Sequence, residues 1–190
     1  MIFRAVEDAD LIRKSAHGDV EAFNLLVSRW ERRVFNYLLR LTGHREDSLD
    51  LCQDVFLKAY QNLRKLEDPA RFAPWLFRIA HNEAFSLLRR RKTEAEEPRP
   101  PHTGAAVPLA GSGIYPLELT VAVSSALDRL SADQRDAVVL KIYQGFKFEE
   151  IAQILACPVS TVKSRLYTAL DLLKAALAPS ATSQNARGEI

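Results

Sequence analysis

The stretch "CPVSTVKSRLYTAL", Cys157–Leu170, opens on a cysteine–proline step, gains two cations within two turns and then becomes apolar. Pro158 has no amide donor and disfavours helix in the residue before it, so one helix ends here and another starts. Ser160 is suited to cap the new helix. Further on, Val162, Leu166, Leu170, Leu173 and Leu177 recur every three or four residues, the spacing of a buried helical stripe. Upstream, "FEEIAQIL" puts Ile151, Ala152 and Leu155 on one face, and "ACP" makes a short turn. The pattern is helix, turn, helix. On the second helix Ser160, Ser164, Tyr167, Thr168 and Asp171 point away from the stripe, with Lys163 and Arg165 on its shoulders. Small polar residues at the start of such a helix suit base edges in a major groove, and the flanking cations suit phosphates. A helical hairpin with a solvated face accounts for the same pattern, so the nucleic-acid reading needs support from elsewhere in the chain.

The 190 residues suffice for one medium or two small domains, and 47% hydrophobic with 26% charged residues is ordinary for a soluble globular protein. A net charge of +2 is too mild to imply nucleic acid by itself, so any basic signal must be local. Cys52 and Cys157 form no CxxC pair, and His17, His44, His81 and His102 show no zinc spacing, so neither a metal nor a cofactor is expected. There is no nucleophile motif and no glycine-rich phosphate loop, which argues against an enzyme. The N-terminal "MIFRAVEDAD" has acids where an export signal needs an apolar run, and no apolar stretch is long enough to span a bilayer. Two thiols without an export signal fit a reducing, cytoplasmic setting.

Glycine is scarce and no strand series appears, so the fold class expected is all-α. "AVVLKIY" follows "SADQ", where Ser131 and Gln134 have capping-box spacing, and is read as helix, with Gly145 as its stop. Five of the nine prolines fall between Glu94 and Leu119, with Gly104, Gly111 and Gly113 among them. That segment reads as a flexible or extended linker. The chain therefore divides into a helical domain at 1–93, a linker at 94–119, a helix-turn-helix domain at 120–178 and a disordered tail at 179–190.

The N-terminal domain shows two unusual surfaces. In "DSLDLCQDVFLKAYQNL" the residues Leu49, Cys52, Val55, Phe56, Ala59, Tyr60 and Leu63 form a core face. The opposite face carries Asp50, Gln53, Asp54, Leu57 and Gln61. One leucine among acids and amides resembles a small protein-docking surface, although a merely solvated face fits equally well. In "FAPWLFRIAHNEAFSLLRRRK", Leu76, Ile79, Ala80 and Leu87 define the buried side, while Arg78, Asn82, Phe85 and Arg89 share the other, with His81 beside them. An aromatic ring among arginines suits single-stranded nucleic acid, because bases stack on the ring while guanidiniums hold phosphates. A helix ending in basic residues to complement its dipole explains the last turn but not Phe85 or Arg78.

Together these pieces resemble the bacterial sigma factors of the extracytoplasmic-function group. "DVEAFNLLVSRWERRVFNYLLRLTG" looks like the start of their promoter-melting domain, and "REDSLDLCQDVFLKAY" is similar to their polymerase-docking segment. "FAPWLFRIAHNEAFSLLRRR" resembles the segment that opens and reads the downstream promoter element. "FKFEEIAQILACPVSTVKSRLYTAL" is similar to the helix-turn-helix that reads the upstream element. The resemblance implies upstream DNA contacts by Ser160, Thr161, Lys163, Ser164, Arg165, Tyr167 and Thr168. It implies single-strand contacts by Arg78, His81, Asn82, Phe85, Arg89 and the loop "RKLEDPARF", with Trp75 packing beneath that loop. It implies docking by Asp50, Gln53, Asp54 and Leu57. The partners implied are core RNA polymerase and promoter DNA, with an anti-sigma factor expected as a third. The family usually has glycine at Ser160, where serine can cap equally well and little loss is expected; it often has arginine at Thr168, so weaker phosphate anchoring is expected there. A stand-alone helix-turn-helix regulator would leave the docking face and the Phe85 surface idle, and no spare apolar helix is present for the dimer it would usually need.

Overall fold

The computed structural model describes residues 7–95 and 117–177, and all regular structure among them is helical. Much of the linker and all of the tail expected from the sequence lie outside the described residues. Helices α1 (Asp8–Ala16), α2 (Val20–Thr42), α3 (Arg45–Asn62) and α4 (Phe72–Ala95) form the N-terminal unit. Local chemistry sets their ends. Asp19 caps α2 by accepting the Ala22 amide at 3.0 Å, and Gly43 closes it in the left-handed region, φ +70°, where a side chain would be strained. Asp8 pins α1 to α2 through Arg29 (2.6 Å) and the Trp30 indole N–H (3.0 Å). Two short 3₁₀ turns, Leu63–Lys65 and Pro69–Arg71, link α3 to α4.

The core of this unit comes from residues in helical phase: Leu26, Val34 and Leu38 of α2, Leu51, Val55 and Ala59 of α3, and Leu76, Phe77, Ala80 and Ala84 of α4. Deleting a side chain such as Leu76, which has no exposed surface, costs about 2–5 kcal/mol. Two expected core residues of α3 differ. Leu49 and Tyr60 are exposed, because α3 is covered on one side only, by α2 and α4; Tyr60 keeps one ring contact, with Phe23 at 4.9 Å. On α4, Ile79 and Leu87 are half-buried, and the fully buried ring is Phe77.

The C-terminal unit comprises α5 (Leu117–Asp128), α6 (Ala132–Val138), α7 (Phe148–Leu155) and α8 (Val159–Leu177). The Ser131–Gln134 capping box expected from the sequence opens α6. "VLKIY" continues that helix as a wider π turn ending at Gly145, φ +77°. Arg135 ties α6 to α5 by donating to the Leu127 carbonyl at 3.0 Å and pairing with Asp128.

The two units are not separate bodies. One apolar cluster runs without a break from α1–α4 through Val139, Leu140, Phe146, Ile151, Ile154, Leu155 and Val162. The Phe77 and Phe146 rings meet edge to face, 5.0 Å apart, across the junction.

Candidate nucleic-acid and polymerase interfaces

The helix-turn-helix is built from α7 and α8. Glu150 closes the start of α7 by accepting the Lys147 amide at 2.7 Å. Ala156 then adopts a left-handed conformation, φ +50°, and the Cys157 amide returns to the Ala152 carbonyl at 3.1 Å. The amides of Thr161 and Val162 both reach the Pro158 carbonyl, so α8 begins right after the proline. Ser160 therefore sits inside the first turn rather than capping it. The inner stripe of α8 is Val162, Leu166 and Ala169. Leu170 and Leu177 are exposed, because positions 162, 166 and 169 stay in phase with the α6 and α7 surfaces while 170 and 177 rotate past them.

Ser160, Lys163, Ser164, Tyr167 and Thr168 are exposed, Tyr167 at 57%. Thr161 is half-buried. The Lys163 ammonium lies 5.4 Å from the Phe148 ring centre, close enough for a weak cation–π contact that aims it along the helix start. Arg165 differs in kind. It is half-buried, pairs with Asp133 at 3.2 Å and approaches the Cys157 sulfur, so it braces α8 against α6 and the turn.

On α3, Asp50, Gln53, Asp54 and Leu57 are all exposed on one face, Leu57 at 56%, while Leu51, Val55 and Phe56 point inward. Cys52 is half-buried beside the Glu31 carbonyl. Burial, with Glu31 adding to it, pushes its thiol up to about 11, and burial also raises Cys157, so neither thiol is set up to react as a thiolate.

The third surface is a cleft of about 350 Å³ between the end of α3 and the first half of α4. Trp75 and Ile79 form apolar walls; Lys58, Lys65 and Arg78 supply cations; Asn62 and Asn82 supply amides. Lys58 is held by Glu83 at 2.6 Å, and Lys65 by the Asn62 side-chain oxygen at 2.8 Å. Arg78, Asn82 and Arg89 are exposed, as expected. His81 and Phe85 are not displayed with them. His81 is only 15% exposed and reaches Asp136 of α6 at 2.7 Å, and Phe85 is half-buried against His81, ring centres 4.3 Å apart. The expected outward display of Phe85 is corrected in that respect: residues 81 and 85 border the face turned toward the C-terminal unit. Beyond them Arg91 pairs with Asp47, leaving Arg90 and Lys92 exposed.

Sequence reasoning reached part of the cleft, through Arg78, Asn82 and the loop that holds Lys65, but missed Lys58, Asn62 and the junction. Lys58, Asn62 and Lys65 lie on a different element from Arg78 and Asn82, so no single-helix pattern joins them. Asp136 did leave a signal, since it stands in phase with Val139 and Leu140, both fully buried.

A model of Sigma-70 region 2 matches residues 26–94, and one of Sigma-70 region 4 matches residues 120–173. The ECF RNA polymerase sigma-E factor of Haemophilus influenzae is 33% identical over 182 residues, 90% of this chain and 96% of that protein. The sigma-E factor of Escherichia coli K12 is also 33% identical, over 87% of this chain and 92% of its own length. The RNA polymerase sigma-H factor of Pseudomonas aeruginosa is 28% identical over 91% of the chain. Among solved structures, the sigma factor RpoE of Bartonella quintana, bound to the anti-sigma factor NepR, superposes with a TM-score of 0.70 at 30% identity, covering 82% of this chain and 96% of that one. CnrH, bound to the cytosolic domain of CnrY, gives 0.64 at 29% identity over 88% and 95%. With both regions present in order, and a third of its residues shared along nearly the full length of such relatives, this chain belongs to the ECF sigma factors, which direct RNA polymerase to promoters.

Proposed function

We propose that the two units divide promoter recognition between them, α8 reading the upstream element as duplex and the α3–α4 cleft holding an unpaired base of the downstream element. The cleft is the observation that carries this reading. Apolar walls at Trp75 and Ile79 suit a base face, Asn62 and Asn82 can bond its edge, and Lys58, Lys65 and Arg78 can meet the flanking phosphates. A base still paired in a duplex offers no free face to such walls. On α8, the exposed side chains of Ser160, Ser164, Tyr167 and Thr168 read base edges in this proposal, and exposed Lys163 meets phosphate. Thr161 and Arg165 support that surface from within, and His81, Phe85 and Arg89 extend the strand path beyond the cleft. Core polymerase docks on Asp50, Gln53, Asp54 and Leu57. The protein acts as a specificity subunit and not as an enzyme, and it works in the cytoplasm; no described helix is long and apolar enough to cross a membrane. An anti-sigma factor is a fitting further partner, given the complexes in which the two similar solved structures were found.

The test is Asn82→Ala combined with Arg78→Ala, both at exposed positions. Permanganate reactivity of promoter thymines should fall, while gel shifts on duplex promoter with polymerase stay near wild type. Full strand opening by the double variant would refute the assignment of the cleft.

A further inference from the structure

Asp136 has no exposed surface, yet it carries a carboxylate. Both of its oxygens are satisfied from the other unit. Oδ1 accepts from the Tyr37 hydroxyl of α2 at 2.9 Å, and Oδ2 faces Nδ1 of His81 of α4 at 2.7 Å. A carboxylate retained for the fold of its own unit would find partners there. This one finds them 99 and 55 residues away in sequence.

The surroundings repeat the pattern. Tyr37 meets Phe77 at 5.1 Å, and Phe77 meets Phe146. Arg33 of α2 donates to the Gln144 carbonyl at 3.1 Å, and the Arg40 guanidinium lies 4.2 Å from the Tyr143 ring centre. A buried polar pair inside an apolar junction fixes geometry more than it adds stability, because desolvation offsets much of the attraction. Here the pair sets the register in which the two units meet. Closure of the junction also has a consequence for the surface above it: His81 is committed to Asp136, and Phe85 lies against His81.

We infer that Tyr37, His81 and Asp136 form an interdomain latch that holds the free sigma factor closed and withholds His81 and Phe85 from single-stranded DNA. The second half of this statement rests on the strand reading proposed above; the latch itself does not. Opening releases His81 toward the Arg78–Asn82 side and exposes Asp136 to water. A strand ligand that needs the open state then binds with an apparent affinity reduced by the fraction of protein that is open.

The experiment uses the full chain without polymerase, with dyes at Glu21→Cys and Asp171→Cys in a Cys52→Ala, Cys157→Ala background, and reads inter-dye distance by single-molecule energy transfer. A fluorescent single-stranded oligonucleotide of the downstream element is titrated in parallel. Asp136→Ala leaves the Tyr37 hydroxyl without a partner only in the closed state, and should shift the closed-to-open ratio by about tenfold or more toward open. Tyr37→Phe keeps the ring contact with Phe77 and should give a smaller shift in the same direction; it decides the matter if Asp136→Ala loses helicity. Oligonucleotide affinity should rise in step with the open fraction. Wild-type distance distributions in both variants would overturn the latch. Open distributions with unchanged oligonucleotide affinity would uphold the latch and overturn the strand role of His81 and Phe85.

Discussion

Replacing Leu57 by arginine should abolish tight binding to core polymerase while leaving the protein folded. The side chain is 56% exposed on α3, and its inward neighbours Val55 and Phe56 already fill the core, so the change in folding free energy should stay within about 0.5 kcal/mol. At an interface the balance reverses. An apolar residue ringed by polar ones, here Asp50, Gln53 and Asp54, is the arrangement of a central anchor with a rim. Losing such an anchor costs about 2 kcal/mol or more, roughly thirtyfold in affinity, and a buried unpaired guanidinium adds to that. Asp50→Ala removes only a rim charge and should change affinity a few-fold, mostly through association rate and salt dependence. Val55→Ala provides the opposite control, since that side chain has no exposed surface: folding stability should drop by about 1–3 kcal/mol, while affinity of the folded fraction stays close to wild type. Titration of labelled protein against core polymerase at two salt concentrations, beside circular dichroism, separates the cases. Leu57→Arg binding within twofold of wild type would refute the docking assignment.

Lys163→Ala should weaken binding to all upstream sequences and lower the salt slope by about one, whereas Tyr167→Ala should change preference among sequences by about 1–3 kcal/mol; binding to a library of duplexes at several salt concentrations distinguishes them. Ala156→Gly should raise stability by about 0.5–1 kcal/mol in chemical denaturation, because glycine relieves the left-handed backbone of the helix-turn-helix turn at some cost in chain entropy. The closed state should be favoured as pH falls. Burial raises the Asp136 carboxyl above its ordinary range, the Asp133 charge adds to that, and the bonds from His81 and Tyr37 oppose it. The closed form therefore keeps a proton that the open form releases, and its stabilisation is complete below about pH 4 and lost as pH rises through the raised value. Energy transfer across a pH series should show this dependence in wild type and its loss in Asp136→Ala.

The fold class was legible because helices announce themselves locally. The capping box at Ser131, the proline step at Pro158 and the three-to-four spacing of Val162 and Leu166 each fixed an element with no knowledge of its neighbours. The exposed face of Asp50, Gln53, Asp54 and Leu57 was legible for the same reason, since all four belong to one helix. What failed depended on how much cover each helix receives. Leu49, Leu170 and Leu177 continue the apolar spacing of their helices yet are left exposed, and Tyr60 keeps only its ring contact with Phe23. Phe85 failed in the opposite sense, drawn against His81 at a junction between units that no periodicity within α4 encodes.

That junction gives α4 two opposed duties. Arg78 and Asn82 line the cleft, Phe77 and His81 face the C-terminal unit, and Phe85 sits at the border between the two sides. If docking and strand binding compete for His81 and Phe85, substitutions on the two sides cannot be additive. Phe85→Ala alone should weaken oligonucleotide binding by about 1–3 kcal/mol from lost stacking. Asp136→Ala alone should strengthen it by opening the latch. With Phe85 already absent, opening exposes no ring for a base to stack on, so the gain from Asp136→Ala should shrink. A double-mutant cycle on oligonucleotide affinity in the full chain should therefore give an interaction energy above about 0.5 kcal/mol, beyond the range in which distant, independent sites add. Additivity within that range would mean that Phe85 and the latch act independently, and that the contact between His81 and Phe85 has no part in DNA binding.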